Sequence, residues 1–138
     1  MSNERYEKGI KKIQDFTVSH SPENPTGEME IGEGFKDLAP DLSKYVVEFA
    51  FGDIYDRPGL DDKQKVLTTI AGLVAQGMPQ IEIHINSGLN VGLTPEEIVG
   101  CIVHLLPYTG FPRVLNALKV AQKVFDERGI TVDTSMVE

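Results

Sequence analysis

A chain of 138 residues, 41% hydrophobic but only 7% aromatic and without tryptophan, suits one domain with a mostly aliphatic core. A formal charge of −8 argues against a nucleic-acid partner, because phosphate binding needs a basic face, and it obliges any anionic ligand to be met by local cations. No run of 18 apolar residues is present to span a membrane, MSNERYEKGIKK lacks the apolar stretch of a signal peptide, and a single cysteine excludes an intrachain disulfide or a cysteine-based zinc site. The expected setting is cytoplasmic, with no membrane partner.

In chain order, residues 3–18 read as a helix, with Tyr6, Ile10, Ile13 and Phe16 at spacings of three and four. Residues 19–36 are rich in Ser, Pro, Gly and Glu and read as a loop or arm rather than a domain linker. A helix is expected from Pro40–Asp41 to about Phe51, with Leu42, Tyr45, Val46 and Phe49 inward. Arg57-Pro58-Gly59 marks a turn. Asp61 then caps a helix, with Gln64 as capping-box partner, that runs to Gly77. Pro79 opens the next helix, ending at Gly92. Thr94-Pro95-Glu96-Glu97 is a helix start with Thr at the N-cap, Pro at the first helical position and Glu at the third. Pro107, Gly110 and Pro112 break that helix, a last one follows from Pro112 to about Gly129, and the tail TVDTSMVE is expected to fray. No strand alternation competes, so the fold class is all-α, a single domain over 1–138 with its core at about 36–128. The stretches VLTTIAGLVA and IVGCIVHLL are apolar nearly all round, more than one small bundle can cover, which predicts a homo-oligomer.

Few residues are equipped for chemistry. His84 lies beside the apolar stripe of Ile81, Ile85 and Leu89. A histidine there is first a structural residue bonded to a neighbour, but it is also the side chain best suited to handle protons near neutral pH. His104 follows Cys101 by three residues, on one helix face. A zinc site there would need further ligands, with only His84 and Glu82 as candidates, and the apolar surroundings of Cys101 favour an inert thiol over a nucleophile. Arg57 and Arg113, each beside a proline at a helix end, are either surface charges or carboxylate clamps. Tyr108 and Thr109 stand just before the Gly110 break, where their hydroxyls can reach a pocket mouth. Glu48, among apolar neighbours, needs a partner. Glu96 and Glu97 are explained as first-turn helix residues.

The pieces RYEKG, DLAPDL, EFAFGDIYDRPGLD, KVLTTIAGLVAQG, EIHINSGLNVGLTPEEI, and YTGFP followed by NAL occur in consistent order over about residues 4–125. In these the chain resembles the carboxymuconolactone decarboxylase family of the alkylhydroperoxidase D-like superfamily. The resemblance implies an alkylhydroperoxidase D-like helical bundle assembled as a trimer or hexamer. The peroxidase branch of that superfamily has a Cys-x-x-Cys pair just before the histidine that resembles His84; those positions are Gly77 and Gln80 here. A glutamate at the start of its preceding helix is replaced by Lys65. Thiol-based peroxide reduction needs an attacking and normally a resolving thiol, so the resemblance favours the decarboxylase branch.

That branch implies loss of CO2 from 4-carboxymuconolactone to give the 3-oxoadipate enol-lactone, with neither organic cofactor nor metal. Charge left by CO2 spreads to a carbonyl oxygen that needs a donor, a ring carbon needs a proton, and the retained carboxylate needs a cation. On this reading His84 is the proton donor or oxyanion stabiliser, and Arg57 or Arg113 anchors the retained carboxylate. Glu48 and Tyr108 orient the catalytic site, and His104 borders the small anionic lactone. Gly100 stands where decarboxylase relatives often have an acid, and His104 where Gln is common, which implies drift in substrate. Two alternatives remain: an antioxidant enzyme using Cys101, and a non-catalytic oligomer that binds small anions.

Overall fold

The computed structural model describes residues 3–17, 35 and 37–138. The loop or arm expected over 19–36 therefore lies outside the described residues apart from Phe35. The described residues contain helices and turns and no strand, in agreement with an all-α fold. They group into two compact units, Met1–Asp61 and Asp62–Glu138.

In the first unit, α1 (Glu4–Thr17) matches the expected helix. It buries Gly9, Ile13 and Phe16, while Tyr6 is left exposed. A short α2 (Leu42–Tyr45) runs straight into a π-helical segment, Val46–Tyr55. This corrects the expected face. Leu42, Tyr45 and Phe49 are exposed, and the buried residues of the segment are Glu48, Phe51 and Gly52. The expectation assumed the 3.6-residue period, whereas hydrogen bonding from i to i+5 widens the turn and brings a different set of side chains inward. α1 and the π segment cross at glycines. A Cβ on Gly9 would overlap the Val47 carbonyl oxygen, and one on Gly52 would overlap the Arg5 carbonyl oxygen. That approach lets Phe16 meet Tyr55 edge-on at 5.1 Å, while Phe51 and Tyr55 stack at 4.9 Å.

The second unit holds α3 (Asp62–Gln76), α4 (Ile81–Asn90), α5 (Pro95–His104), the single turn α6 (Leu106–Thr109) and α7 (Phe111–Glu127). Its core is aliphatic as composition requires: Val66, Ile70 and Val74 from α3, Ile81 and Ile85 from α4, Ile98 and Ile102 from α5, and Val114, Val124 and Phe125 from α7. Each fully buried side chain of this kind stabilises by about 1.5–3 kcal/mol. The punctuation follows the sequence. α3 ends as Gly77 takes φ +70°, with Met78 N–H donating to Leu73 O at 2.9 Å and Gly77 N–H to Val74 O at 3.0 Å. The predicted capping box opens α5: Glu97 N–H donates to Thr94 Oγ1 at 3.1 Å and Thr94 N–H to Glu97 Oε1 at 2.9 Å.

The tail corrects the expectation of fraying. Asp133 N–H donates to Glu96 Oε1 at 2.8 Å, Ser135 N–H donates to Asp133 Oδ1 at 3.0 Å, and Ser135–Val137 forms a 3-10 turn. The acceptor is the Glu96 carboxylate on the first turn of α5, a contact with no trace in local sequence pattern. The Asp133 amide is the main reason the Glu96 carboxyl is held below its ordinary pKa.

Candidate functional site

α4 places His84 one turn beyond Ile81, at the border between the buried Ile81–Ile85 stripe and the exposed Ile83. The ring is half-buried, and no described residue hydrogen-bonds it. The structural histidine bonded to a neighbour is therefore not what is found among the described residues. Burial pushes the His84 pKa below its ordinary value of 6.5, so the imidazole is neutral at pH 7. It then offers one N–H donor and one acceptor nitrogen.

Where α3 ends, the α3–α4 turn and the start of α7 enclose a hollow of about 190 Å³. Its walls include Val74, Met78, Ile81, Ala117 and Val120, with Asn116 beside them, and among the described residues the one charged side chain on its rim is Arg113. The second and third residues of α7 set this up: Pro112 fits the first turn of the helix, and Arg113 follows at the mouth of the hollow. Arg113 Nη1 donates to the carbonyl oxygen of Ala75, in the last turn of α3, and lies 3.5 Å from Thr109 Oγ1. Thr109 Oγ1 itself donates to Ala75 O at 3.1 Å. A cation on the carbonyl end of α3 is favourably placed in the helix dipole.

The other candidates of this unit lie elsewhere. Tyr108 is 78% exposed and His104 is exposed, their rings 6.0 Å apart and tilted, and neither borders the hollow. The Cys101 thiol is half-buried, lies 3.7 Å from Leu67 O as a donor, and is pushed above its ordinary pKa by burial. A thiol held in that way is a poor source of thiolate. Among the described residues no group of His, Cys, Asp or Glu is placed to hold a metal ion.

In the first unit, Glu48 is buried and does have partners: Asn3 Nδ2 donates to Oε1, and Arg5 and Lys44 each approach to 3.8 Å. Arg5 is shared with Asp53, to which Nη2 donates at 2.7 Å. Arg57 Nη1 donates to Pro58 O at 3.3 Å. Ala117 and Val120, which line the hollow beside Arg113, were not singled out by sequence, whereas Thr109, whose hydroxyl was expected at a pocket mouth, lies 3.5 Å from Arg113 Nη1. Arg128 was missed as well. Its Nη1 and Nη2 donate at 3.0 Å to Asn86 Oδ1 and Asn90 Oδ1, joining the end of α7 to α4.

His84 on α4 and Arg113 at the mouth of the hollow are the candidate groups of a small helical protein. The sequence comparisons put that class into a family. The carboxymuconolactone decarboxylase family model matches residues 40–123, and the chain belongs to that family. It is 33% identical over 99 residues to a 4-carboxymuconolactone decarboxylase of Acinetobacter baylyi, covering 71% of this chain and 74% of the relative. It is 32% identical over 107 residues to an uncharacterized 15.0 kDa protein of Paracoccus denitrificans, covering 75% and 80%. A nitrosuccinic acid decarboxylase of Metarhizium robertsii is 29% identical over 123 residues, covering 88% and 82%. Two relatives named as decarboxylases support a decarboxylase role. Among the described residues no helix is long and apolar enough to cross a membrane.

Proposed function

We propose that the protein decarboxylates a small dicarboxylic acid that carries its own electron-accepting group, 4-carboxymuconolactone or a near relative, without organic cofactor or metal. The carrying observation is the family membership together with a half-buried, neutral His84 that no described residue occupies. The substrates named for the two decarboxylase relatives share one chemical logic. A nitro-substituted diacid and an unsaturated lactone diacid both hold a group that can take the electron pair freed when CO2 leaves. A substrate with such a sink needs no cofactor to stabilise the carbanion.

In this reading the C–C bond to one carboxylate breaks, CO2 departs, and the electron pair delocalises onto the lactone carbonyl oxygen. The His84 N–H donates a hydrogen bond to that oxygen; a neutral imidazole suits this role better than proton delivery, since donating its proton outright would leave an imidazolate. The ring carbon next to that carbonyl then takes a proton from solvent, so one proton is consumed per CO2 released. Arg57 or Arg113 holds the second carboxylate. Glu48, fixed by Asn3 and Arg5, and Tyr108, with an exposed hydroxyl, orient the site, and His104 beside Tyr108 borders the substrate.

The chain is read as one domain, because the family match runs without interruption across Asp61. It is read as a trimer or hexamer, an assembly supported by the exposed Ile83, Val103, Phe111 and Leu115. The antioxidant alternative finds little support in a Cys101 thiol buried above its ordinary pKa. The test is turnover of 4-carboxymuconolactone by wild type, Cys101→Ser and His84→Ala. Activity that survives the first substitution and falls about 10²–10⁴-fold with the second supports the reading; activity lost with Cys101→Ser, or intact in His84→Ala, overturns it.

A further inference from the structure

The arginine at the hollow is committed on one side only. Its Nη1 is spent on Ala75 O, with Thr109 Oγ1 at 3.5 Å. Among the described residues nothing accepts from Nε or Nη2. These two nitrogens form one straight edge of the guanidinium, the edge that pairs side-on with both oxygens of a carboxylate. The α3 carbonyl thus acts as a clamp that fixes the plane of the group and leaves its carboxylate-binding edge open.

Gly77 keeps that edge uncovered. It borders the hollow, and a Cβ there would stand 3.4 Å from Arg113 Nε and 3.6 Å from Cδ. Glycine at 77 is required by φ +70°, so one residue both ends α3 and leaves the guanidinium edge accessible. Beyond Arg113 the hollow is mostly apolar, walled by Val74, Ile81, Ala117 and Val120, with Asn116 as a further polar side chain on its lining. Its volume of about 190 Å³ lies well below the roughly 300–1,000 Å³ of sites for drug-sized ligands. It is a little larger than the ~150 Å³ cavity that accepts benzene.

We infer that this hollow is a binding site for one carboxylate of a small acid with a ring-sized apolar body, held side-on by the Nε–Nη2 edge of Arg113. The inference deepens the decarboxylase reading by choosing Arg113 over Arg57 as the anchor of the retained carboxylate. It rests on that reading for the role of the bound acid, while the binding itself stands apart from turnover.

The probe is benzoate, with uncharged benzamide as its isosteric control, titrated into the full-length protein while the side-chain Nε–H resonance of Arg113 and the amides of Gly77 and Val120 are followed by NMR. Benzoate is expected to shift all three and benzamide to leave the Nε–H unmoved. Arg113→Gln should weaken benzoate about tenfold or more, and Arg113→Lys should recover only part of that, because an ammonium has no side-on edge. Val120→Phe, which fills the hollow without touching the guanidinium, should abolish binding. If that variant does not fold, the arginine variants decide alone. Equal shifts with benzamide, unmoved signals with benzoate, or unchanged affinity in Arg113→Gln overturn the proposal. The two readings fail separately: wild-type protein that binds benzoate there yet releases no CO2 from 4-carboxymuconolactone refutes the decarboxylase role and leaves the acid site standing.

Discussion

Two alanine substitutions at helical glycines should change stability in opposite directions. Gly9 in α1 and Gly72 in α3 both lie in helix interiors, where alanine is intrinsically favoured by up to about 1 kcal/mol. At Gly72 an added Cβ meets nothing within 4 Å, so Gly72→Ala should gain about 0.5–1 kcal/mol. At Gly9 the Cβ would overlap the Val47 carbonyl oxygen, with the carbonyl carbon at 2.7 Å and Cγ1 at 2.8 Å. A backbone carbonyl inside a helix cannot rotate away, so relief requires α1 and the π segment to separate, taking the Phe16, Phe51 and Tyr55 rings with them. Overpacking costs about 1–3 kcal/mol, and the backbone overlap puts this case at the upper end. After the propensity gain is offset, a net loss of about 2 kcal/mol remains, or roughly 6–10 °C in Tm for a chain of this size. Urea and thermal unfolding followed by far-UV circular dichroism, at one protein concentration, read both variants. The same separation should loosen Asn3 and Arg5 from Glu48. A Gly9→Ala protein as stable as wild type would refute the glycine-mediated crossing.

Four shorter predictions accompany it. The depressed pKa of His84 means that the unfolded chain takes up a proton near pH 6.5 that the folded ring refuses. This contribution to stability is therefore intact above pH about 6.5 and lost as pH falls below it, and the ring protons of His84 should titrate below 6.5 by NMR. His84→Ala should cost only about 1 kcal/mol in denaturant melts, because the ring is half-buried and leaves no described partner unsatisfied; a loss above ~3 kcal/mol would mark it as structural. Cys101 should alkylate with iodoacetamide more slowly than free cysteine at pH 7.5, its thiol being raised by burial, and faster labelling would contradict that environment. Thr94→Ala removes the acceptor for Glu97 N–H and should cost about 1 kcal/mol in the same melts, whereas a change within 0.3 kcal/mol would mean that the capping box does not hold in solution.

The helical fold was legible because its stops and starts are local chemistry. Gly77 ends α3 and Thr94 with Glu97 opens α5 through atoms a few residues apart. The inward face after Tyr45 was not legible, since a π segment is chosen by the close packing of Gly9 and Gly52 against backbone, a contact between residues far apart in the chain. The ordered tail depends in the same way on Glu96. Of the candidate residues, His84 stood out as a polar residue beside an aliphatic stripe, and Arg113, like Arg57, as a cation beside a proline at a helix end. What sequence could not supply is that Ala75 O occupies one side of the guanidinium and Gly77 leaves the other open. Both facts arise from how α7 meets the end of α3.

The central claim is that this chain removes CO2 from a small diacid with a built-in electron sink. It is tested most directly by incubating the purified protein with 4-carboxymuconolactone, and separately with nitrosuccinic acid, in deuterated buffer while measuring released CO2 and product by mass spectrometry. CO2 release from at least one of them is expected, with one deuterium from solvent in the product: on the ring carbon next to the carbonyl of the enol-lactone, or on the nitro-bearing carbon of the product of nitrosuccinic acid. Folded protein that releases no CO2 from either acid would contradict it.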